Sequence, residues 1–287
     1  MPNRLPRSRT LKGDPKLVYY EKGEGRPGET PLVLLHGATL RSEDWENIHP
    51  RLATRYRVIA YDMRGHGKSG RAADYGVTAL ADDLLHVLRD LVRVPAIIVA
   101  HSLGGAAAVV AAAREPALIK GLVLEDPYLA RYGTGWRAEY YTRVRAVLDL
   151  ADPGSLKAAI GRLPLDVPGP RGERTIAEVR GFYAPERLAA YFAGLDPAFV
   201  DAFMAQGEDT GGRAAITSAV AGVTVPAVVL AADPLQGSAL ADGEADALAA
   251  RGWPVTRYPG VGHRIHGVRP EPFLEALEPF LRGNRTL

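Results

Sequence analysis

Ser102 stands where an apolar run, Ile97-Ile98-Val99-Ala100-His101, gives way to Leu103-Gly104-Gly105 and a stretch of alanines. That order predicts a buried parallel strand, a sharp turn and a helix, with the serine at the apex. A turn this tight admits only small residues two places before and two places after its centre, and Ala100 and Gly104 fill them. The strain lifts the hydroxyl clear of the sheet, and the first amides of the helix point at any negative charge that forms there. A serine hydroxyl is a weak nucleophile at its own pKa and needs an adjacent base. Among the seven histidines, His263 fits best: it closes Tyr258-Pro259-Gly260-Val261-Gly262, where glycines let the backbone carry an imidazole into a crowded cleft. An oxyanion needs two N–H donors, and losing one costs about 3–4 kcal/mol. The Leu103 amide, after the nucleophile, is one donor; the Ala38 amide, after His36-Gly37, is the other. Together these groups specify acyl transfer to water.

The other histidines read as supports. His36 hydrogen-bonds backbone to shape its loop, His101 packs beside the nucleophile, and His266 is a surface or supporting residue. His49, His66 and His86 read as structural or exposed.

The elements that must hold these groups alternate between strand and helix. Leu17-Val18-Tyr19-Tyr20 reads as an edge strand, and Pro31 to Leu35, Tyr56 to Tyr61 and Gly121 to Leu124 as buried ones, because their apolar runs do not alternate. Leu80, Leu84, Leu85, Leu88 and Leu91 recur at helical spacing between Thr78 and Val92. From about 128 to 216 no strand pattern occurs; helical patterns run over Trp136–Leu150, Ser155–Leu163, Thr175–Gly181 and Pro185–Met204, with a Pro/Gly-rich break at Leu163–Gly172. Strands resume at Ala227–Ala232 and Val255–Tyr258, with helices at Ala239–Arg251 and Pro270–Leu281. A mostly parallel sheet covered on both faces follows, with the helical block inserted at one strand end. Ligands bind such sheets outside the carboxyl ends of the strands. Ala38, Ser102, Asp126 and Asp233 fall directly at such ends, and His263 in the loop after the last one.

Composition narrows the function. The 287 residues are 47% hydrophobic and 24% charged, with a formal charge of +2, which gives no reason to expect nucleic acid. Arg4, Arg7, Arg9 and Lys12 make a basic arm that reads as a solvated tail. The absence of cysteine excludes disulfides, thiolate chemistry and cysteine-ligated metals. No apolar run reaches the roughly 18 residues that span a bilayer, and Met1 to Gly13 lacks the apolar segment of a secretory leader. A soluble cytoplasmic protein is expected.

His36-Gly37, Asp62-x-Arg64-Gly65-His66-Gly67-x-Ser69, Ala100-x-Ser102-x-Gly104-Gly105 and Gly260-x-Gly262-His263 occur in the order and rough spacing of the α/β-hydrolase superfamily, which this sequence resembles over roughly residues 17–127 and 217–282. Ala100 stands where that family more often has glycine. The resemblance implies an α/β-hydrolase fold with an eight-stranded sheet, core residues 1–127 and 217–287, and a helical cap at 128–216. It implies a Ser, acid, His triad in chain order, and a structural role for the 62–69 turn. Many members place the acid in a Pro-x₅-Gly-x-x-Asp pattern; counted from Pro226, that place falls on Leu235, and Asp233 lies two positions early. Others place it 24 positions beyond the nucleophile, which is Asp126, and Glu125 is adjacent. Asp126, Asp233 and Glu125 therefore compete for the role.

The expected function is a serine hydrolase of carboxylic esters or lactones that uses no metal or organic cofactor. Its partner is a small molecule, neither nucleic acid nor membrane. The serine counts against haloalkane dehalogenases and epoxide hydrolases, which use aspartate at this turn. Tyr128, Tyr132, Trp136, Tyr140, Tyr141, Phe182, Tyr183, Tyr191, Phe192, Phe199 and Phe203 enrich the cap in aromatics and suit a bulky apolar substrate. By the same resemblance, carbon–carbon bond hydrolases, cofactor-free perhydrolases and non-catalytic small-molecule receptors are the alternatives.

Overall fold

The computed structural model describes residues 5–129, 136–150, 153–163, 185–208 and 210–284. The expected helix at Thr175–Gly181, the break at Leu163–Gly172 beyond its first residue, and Tyr132, Phe182 and Tyr183 lie outside them, as does the side chain of Trp136.

In chain order the elements are β1 Arg9–Leu11, β2 Leu17–Lys22, β3 Leu32–Leu35, α1 His49–Leu52, β4 Val58–Tyr61, α2 Val77–His86, β5 Ala96–His101, α3 Leu103–Arg114 and β6 Ile119–Glu125. Then follow α4 Trp136–Leu148, α5 Pro153–Arg162, α6 Pro185–Phe192, α7 Pro197–Glu208 and α8 Thr210–Gly222. The chain returns to the sheet with β7 Ala227–Ala232, α9 Asp242–Ala250, β8 Val255–Tyr258, α10 Ile265–Val268 and α11 Pro270–Gly283. The eight strands form one sheet in the order β1-β2-β4-β3-β5-β6-β7-β8. β1 and β2 are antiparallel to their neighbours, and β4, β3 and β5 to β8 run parallel.

The unalternating runs have a direct cause: each face of the sheet feeds its own core. Leu32, Leu34, Val58, Ala60, Ile97 and Val99 enter the layer that contains Phe273, Leu277 and Leu281 of α11. Val33, Leu35, Ile59, Tyr61, Ile98 and Ala100 enter the layer that contains α2, α3 and the inserted helices. Period two places neighbours on opposite faces, and both faces are dry, so every position is apolar. The three α11 anchors follow helical spacing, and each fully buried side chain contributes about 1.5–3 kcal/mol. α3 lies against the sheet with Gly104 to Ala112 all buried, a close approach that small residues permit.

Two local readings change. The basic arm is not merely a solvated tail: Arg9–Leu11 pairs antiparallel with Leu17–Tyr19, and Arg9 bonds Glu21 at 3.0 Å. A three-residue strand with a single apolar side chain leaves no periodicity to read; the exposed edge of β2 supplies the pairing. α8 runs to Gly222 and packs on α3, past position 216 where the helical block was expected to end. Among the described residues no single helix is long and apolar enough to cross a membrane.

Candidate active site

β3, β5, β6, β7 and β8 are successive neighbours in the sheet, so their carboxyl ends open on one line. Ser102 follows β5 with φ 53° and ψ −118°, the strained apex expected of the turn. The turn leaves no room for a larger residue at 104: a Cβ there would meet the carbonyl oxygen of His36 at 2.7 Å and the Leu35 side chain at 2.8 Å. The Ser102 amide donates to the Glu125 carbonyl at 3.0 Å, which ties the turn to β6. Behind the serine, α3 directs the positive end of its dipole at the hydroxyl.

His263 reaches the serine from the loop after β8, its Nε2 2.9 Å from Ser102 Oγ. Its Nδ1 lies 2.5 Å from Asp126 Oδ2. Asp126 directly follows β6 and has φ 39°, a left-handed conformation that turns its carboxylate off the strand line. That carboxylate is wholly buried, and donors surround it: Ser238 Oγ at 2.5 Å, the Ala239 amide at 2.7 Å and the Ala232 amide at 3.3 Å. Four donors compensate the desolvation of a buried charge.

The other two carboxylate candidates are engaged elsewhere. Asp233 caps the turn after β7, where Oδ1 accepts the Leu235 amide at 2.8 Å and Oδ2 accepts the Gly260 amide at 2.7 Å. It thus shapes the loop that carries the histidine without touching the imidazole. Glu125 is buried on the far side of β6 and binds His266. His266 is accordingly a fully buried residue and not a surface one.

The loop after β3 passes beside Ser102 at Gly37, one residue before Ala38. Gly37 is required there, because a Cβ would meet His101 Nδ1 at 2.7 Å and the Ser102 Cβ at 3.1 Å. Among the described residues, neither the Ala38 nor the Leu103 amide donates to a protein acceptor. The 62–69 turn holds this loop in place. His36 accepts the Met63 amide at 3.0 Å and donates from Nδ1 to the Gly37 carbonyl at 2.8 Å. His66 accepts the Thr39 amide at 3.3 Å on Nε2 and donates to the Arg64 carbonyl at 2.9 Å. The Asp62 carboxylate takes the Ser42 and Lys68 amides at 2.8 and 2.9 Å. Burial holds His36 down at about 4 and His66 at about 3, so both rings are neutral, as their accepting nitrogens require. Burial and the neighbouring imidazoles push His101 far down as well, and its Nε2–H donates to the His263 carbonyl at 3.0 Å.

Sequence reasoning did not single out Ser238 and Ala239, which hold the Asp126 carboxylate, nor Asp44 and Arg264, which pair in the buried layer below. A lone serine in a Gly-Ser-Ala loop carries no signal by type; only the loop's position opposite β6 reveals it. The described aromatics between positions 128 and 203 mostly contact one another or the core. The ring centroid of Phe203 lies 4.8 Å from that of Tyr141 and 5.8 Å from that of Tyr128, and the centroids of Phe199 and His66 are 4.2 Å apart. Tyr128 also donates its amide to the Ser102 carbonyl at 3.1 Å, which places it next to Ser102. Among the described residues, no group of three or more His, Asp or Glu side chains is arranged to hold a metal ion.

The sequence profile of the Alpha/beta hydrolase family matches residues 32–276. The chain is 32% identical to 2-(acetamidomethylene)succinate hydrolase of Mesorhizobium japonicum, over 92% of this chain and 91% of that protein. The crystal structure of E-2-(acetamidomethylene)succinate hydrolase superposes with a TM-score of 0.71 at 25% identity, covering 96% of this chain and 98% of that one. A hydrolase from Pseudomonas aeruginosa PA01 superposes with a TM-score of 0.72, also at 25% identity, over 96% and 98% of the two chains.

Proposed function

We propose that this chain, which belongs to the alpha/beta hydrolase family, cleaves a carboxylic ester or lactone through an acyl-enzyme on Ser102. The observation that carries the reading is the continuous line Ser102 Oγ, His263 Nε2, His263 Nδ1, Asp126 Oδ2, with contacts of 2.9 and 2.5 Å at its two ends. Ser102 Oγ attacks the carbonyl carbon while His263 Nε2 takes its proton. The oxyanion that forms is held by the Ala38 and Leu103 amides, and Asp126 stabilises the imidazolium. Collapse expels the alkoxide leaving group, which takes the proton from His263. Water, deprotonated by the same nitrogen, then attacks the acyl carbon and releases the acid and Ser102. In this account Asp126 is the triad acid, while Asp233 and Glu125 serve the fold of the loops.

The helices between β6 and β7 act as a cap over this line, and the substrate is a small molecule with a bulky apolar part. Tyr128 beside Ser102 and the aromatic packing of Tyr141, Phe199 and Phe203 support an apolar ceiling. A panel of p-nitrophenyl esters tests this: rates rising from acetate to longer or aryl acyl groups are expected, and activity confined to acetate would remove the apolar-substrate reading.

One specific observation favours a second reading. The relative from M. japonicum, matched over nearly its whole length, is named for an acetamido-bearing succinate. Amide-type hydrolysis uses the same nucleophile, base and anion hole, with the proton delivered to nitrogen. Turnover of an N-acetyl enamine with no turnover of any ester in the panel would select it.

A further inference from the structure

β6 and the residue after it present two adjacent carboxylates, and only Asp126 touches His263. Glu125 is equally buried and faces the other way. Its backbone oxygen accepts the Ser102 amide at 3.0 Å. Its carboxylate takes two donors from one residue, the His266 amide on Oε1 at 2.7 Å and the ring Nδ1–H on Oε2 at 2.6 Å. The His266 ring stacks on Trp45 with centroids 4.1 Å apart, and its Nε2 lies 3.3 Å from Asp44 Oδ2. Arg264, between the two histidines in sequence, pairs with the same Asp44.

A wholly buried carboxylate is an expensive way to end a strand. An apolar residue of similar volume packs there with no charge to desolvate. What the carboxylate supplies instead is a bidentate grip on α10 at the end of the histidine loop, three residues past the base. The loop needs such a grip, because Gly260, at φ 72°, and Gly262 give the approach to His263 wide conformational freedom. Through its carbonyl the same residue holds the amide of the nucleophile.

We propose that Glu125 is a positioning residue for the base: its carbonyl fixes Ser102 and its carboxylate, through His266, fixes the loop of His263, so that one residue sets the distance between nucleophile and base. The proposal rests on the Ser102–His263 reading above. Glu125 donates no proton and touches no reacting atom; it contributes geometry. A misplacement of about 1 Å between reacting groups costs about 10²-fold in rate.

The test compares wild type with Glu125→Ala, Glu125→Gln, His266→Ala and His263→Ala, using p-nitrophenyl acetate turnover and the labelling rate by a fluorophosphonate. Both rates are expressed per folded molecule from thermal melts. Glu125→Ala and His266→Ala are expected to lower kcat and labelling at least about tenfold with KM within about twofold, and Glu125→Gln, which keeps the acceptor for the His266 amide, to recover part of the loss. His263→Ala is expected to abolish both. Wild-type rates per folded molecule in Glu125→Ala, with His263→Ala dead, overturn the positioning role and leave the triad standing. An active His263→Ala overturns the triad reading itself. Should Glu125→Ala not fold, the decision passes to Glu125→Gln and His266→Ala, and undiminished kcat in both overturns the proposal.

Discussion

Asp126 Oδ2 lies 2.5 Å from Nδ1 of His263, and the same oxygen takes the Ala239 amide at 2.7 Å. The carboxylate is thereby oriented before any substrate arrives, and the Nδ1–H tautomer of His263 is fixed with its Nε2 lone pair toward Ser102. Charge-assisted bonds of this kind are roughly twice as strong as neutral ones.

Replacing Asp126 with Asn leaves the shape but offers His263 an amide donor as readily as an acceptor, so the wrong tautomer is populated. We expect kcat on a p-nitrophenyl ester to fall about 10³–10⁴-fold. Asp233→Asn, whose parent carboxylate accepts the Leu235 and Gly260 amides, is expected to stay within about threefold and to cost roughly 1 kcal/mol in urea unfolding. Equal losses in the two variants would contradict the assignment.

Ser238 donates its hydroxyl to Asp126 Oδ1 at 2.5 Å. Ser238→Ala removes one of the four donors and leaves the two backbone amides and His263 in place. A stability loss of about 1–2 kcal/mol is expected, together with a kcat reduction much smaller than that of Asp126→Asn. Urea midpoints and initial rates measure the two effects separately.

Gly104→Ala introduces a Cβ at 2.7 Å from the His36 carbonyl oxygen and 2.8 Å from Leu35. Neither neighbour is the free end of a flexible chain, so the turn must shift. A destabilisation of about 1–3 kcal/mol is expected, read as a Tm lower by several degrees, with activity lost beyond what the unfolded fraction explains.

Burial holds His36 at about 4 and His66 at about 3, against about 6.5 in an unfolded chain. Between those values the unfolded chain binds a proton that the native ring refuses, so stability rises with pH up to about 6.5 and is lost as pH falls toward about 4. Each group contributes at most about 1.4 kcal/mol per pH unit in that window and nothing above it. Urea midpoints between pH 4.5 and 7.5 give the slope, and His66→Asn is expected to flatten it by about one proton. An unchanged slope in that variant would argue against a neutral buried His66.

The sheet was legible because both faces are dry: unalternating runs such as Leu32–Leu35 and Ala96–His101 are rich in apolar residues and too short for a buried helix. The sharp turns at Ser102 and before His263 were legible for a related reason, since small residues and glycines around a single polar side chain mark places where backbone must bend sharply. The carboxylate that meets the His263 ring was not. Asp126 and Asp233 each follow a buried strand directly, and counting positions cannot separate them. What separates them in the structure is a left-handed φ at Asp126 and the placement of Ser238 and Ala239 opposite it, relationships between residues more than 100 positions apart. The burial of His266 on Glu125 was hidden for the same reason, because a histidine three residues past another looks alike in sequence whether its ring faces solvent or a carboxylate.

Everything proposed for the site depends on Ser102 carrying the acyl group. Rapid quenching of a p-nitrophenyl ester reaction, followed by peptide mapping, tests it most directly. Wild type is expected to give a burst of about one p-nitrophenol per protein and the acyl mass on the peptide that contains Ser102, and Ser102→Ala neither. Turnover by Ser102→Ala at the wild-type rate, with no acylated peptide in either protein, would contradict it.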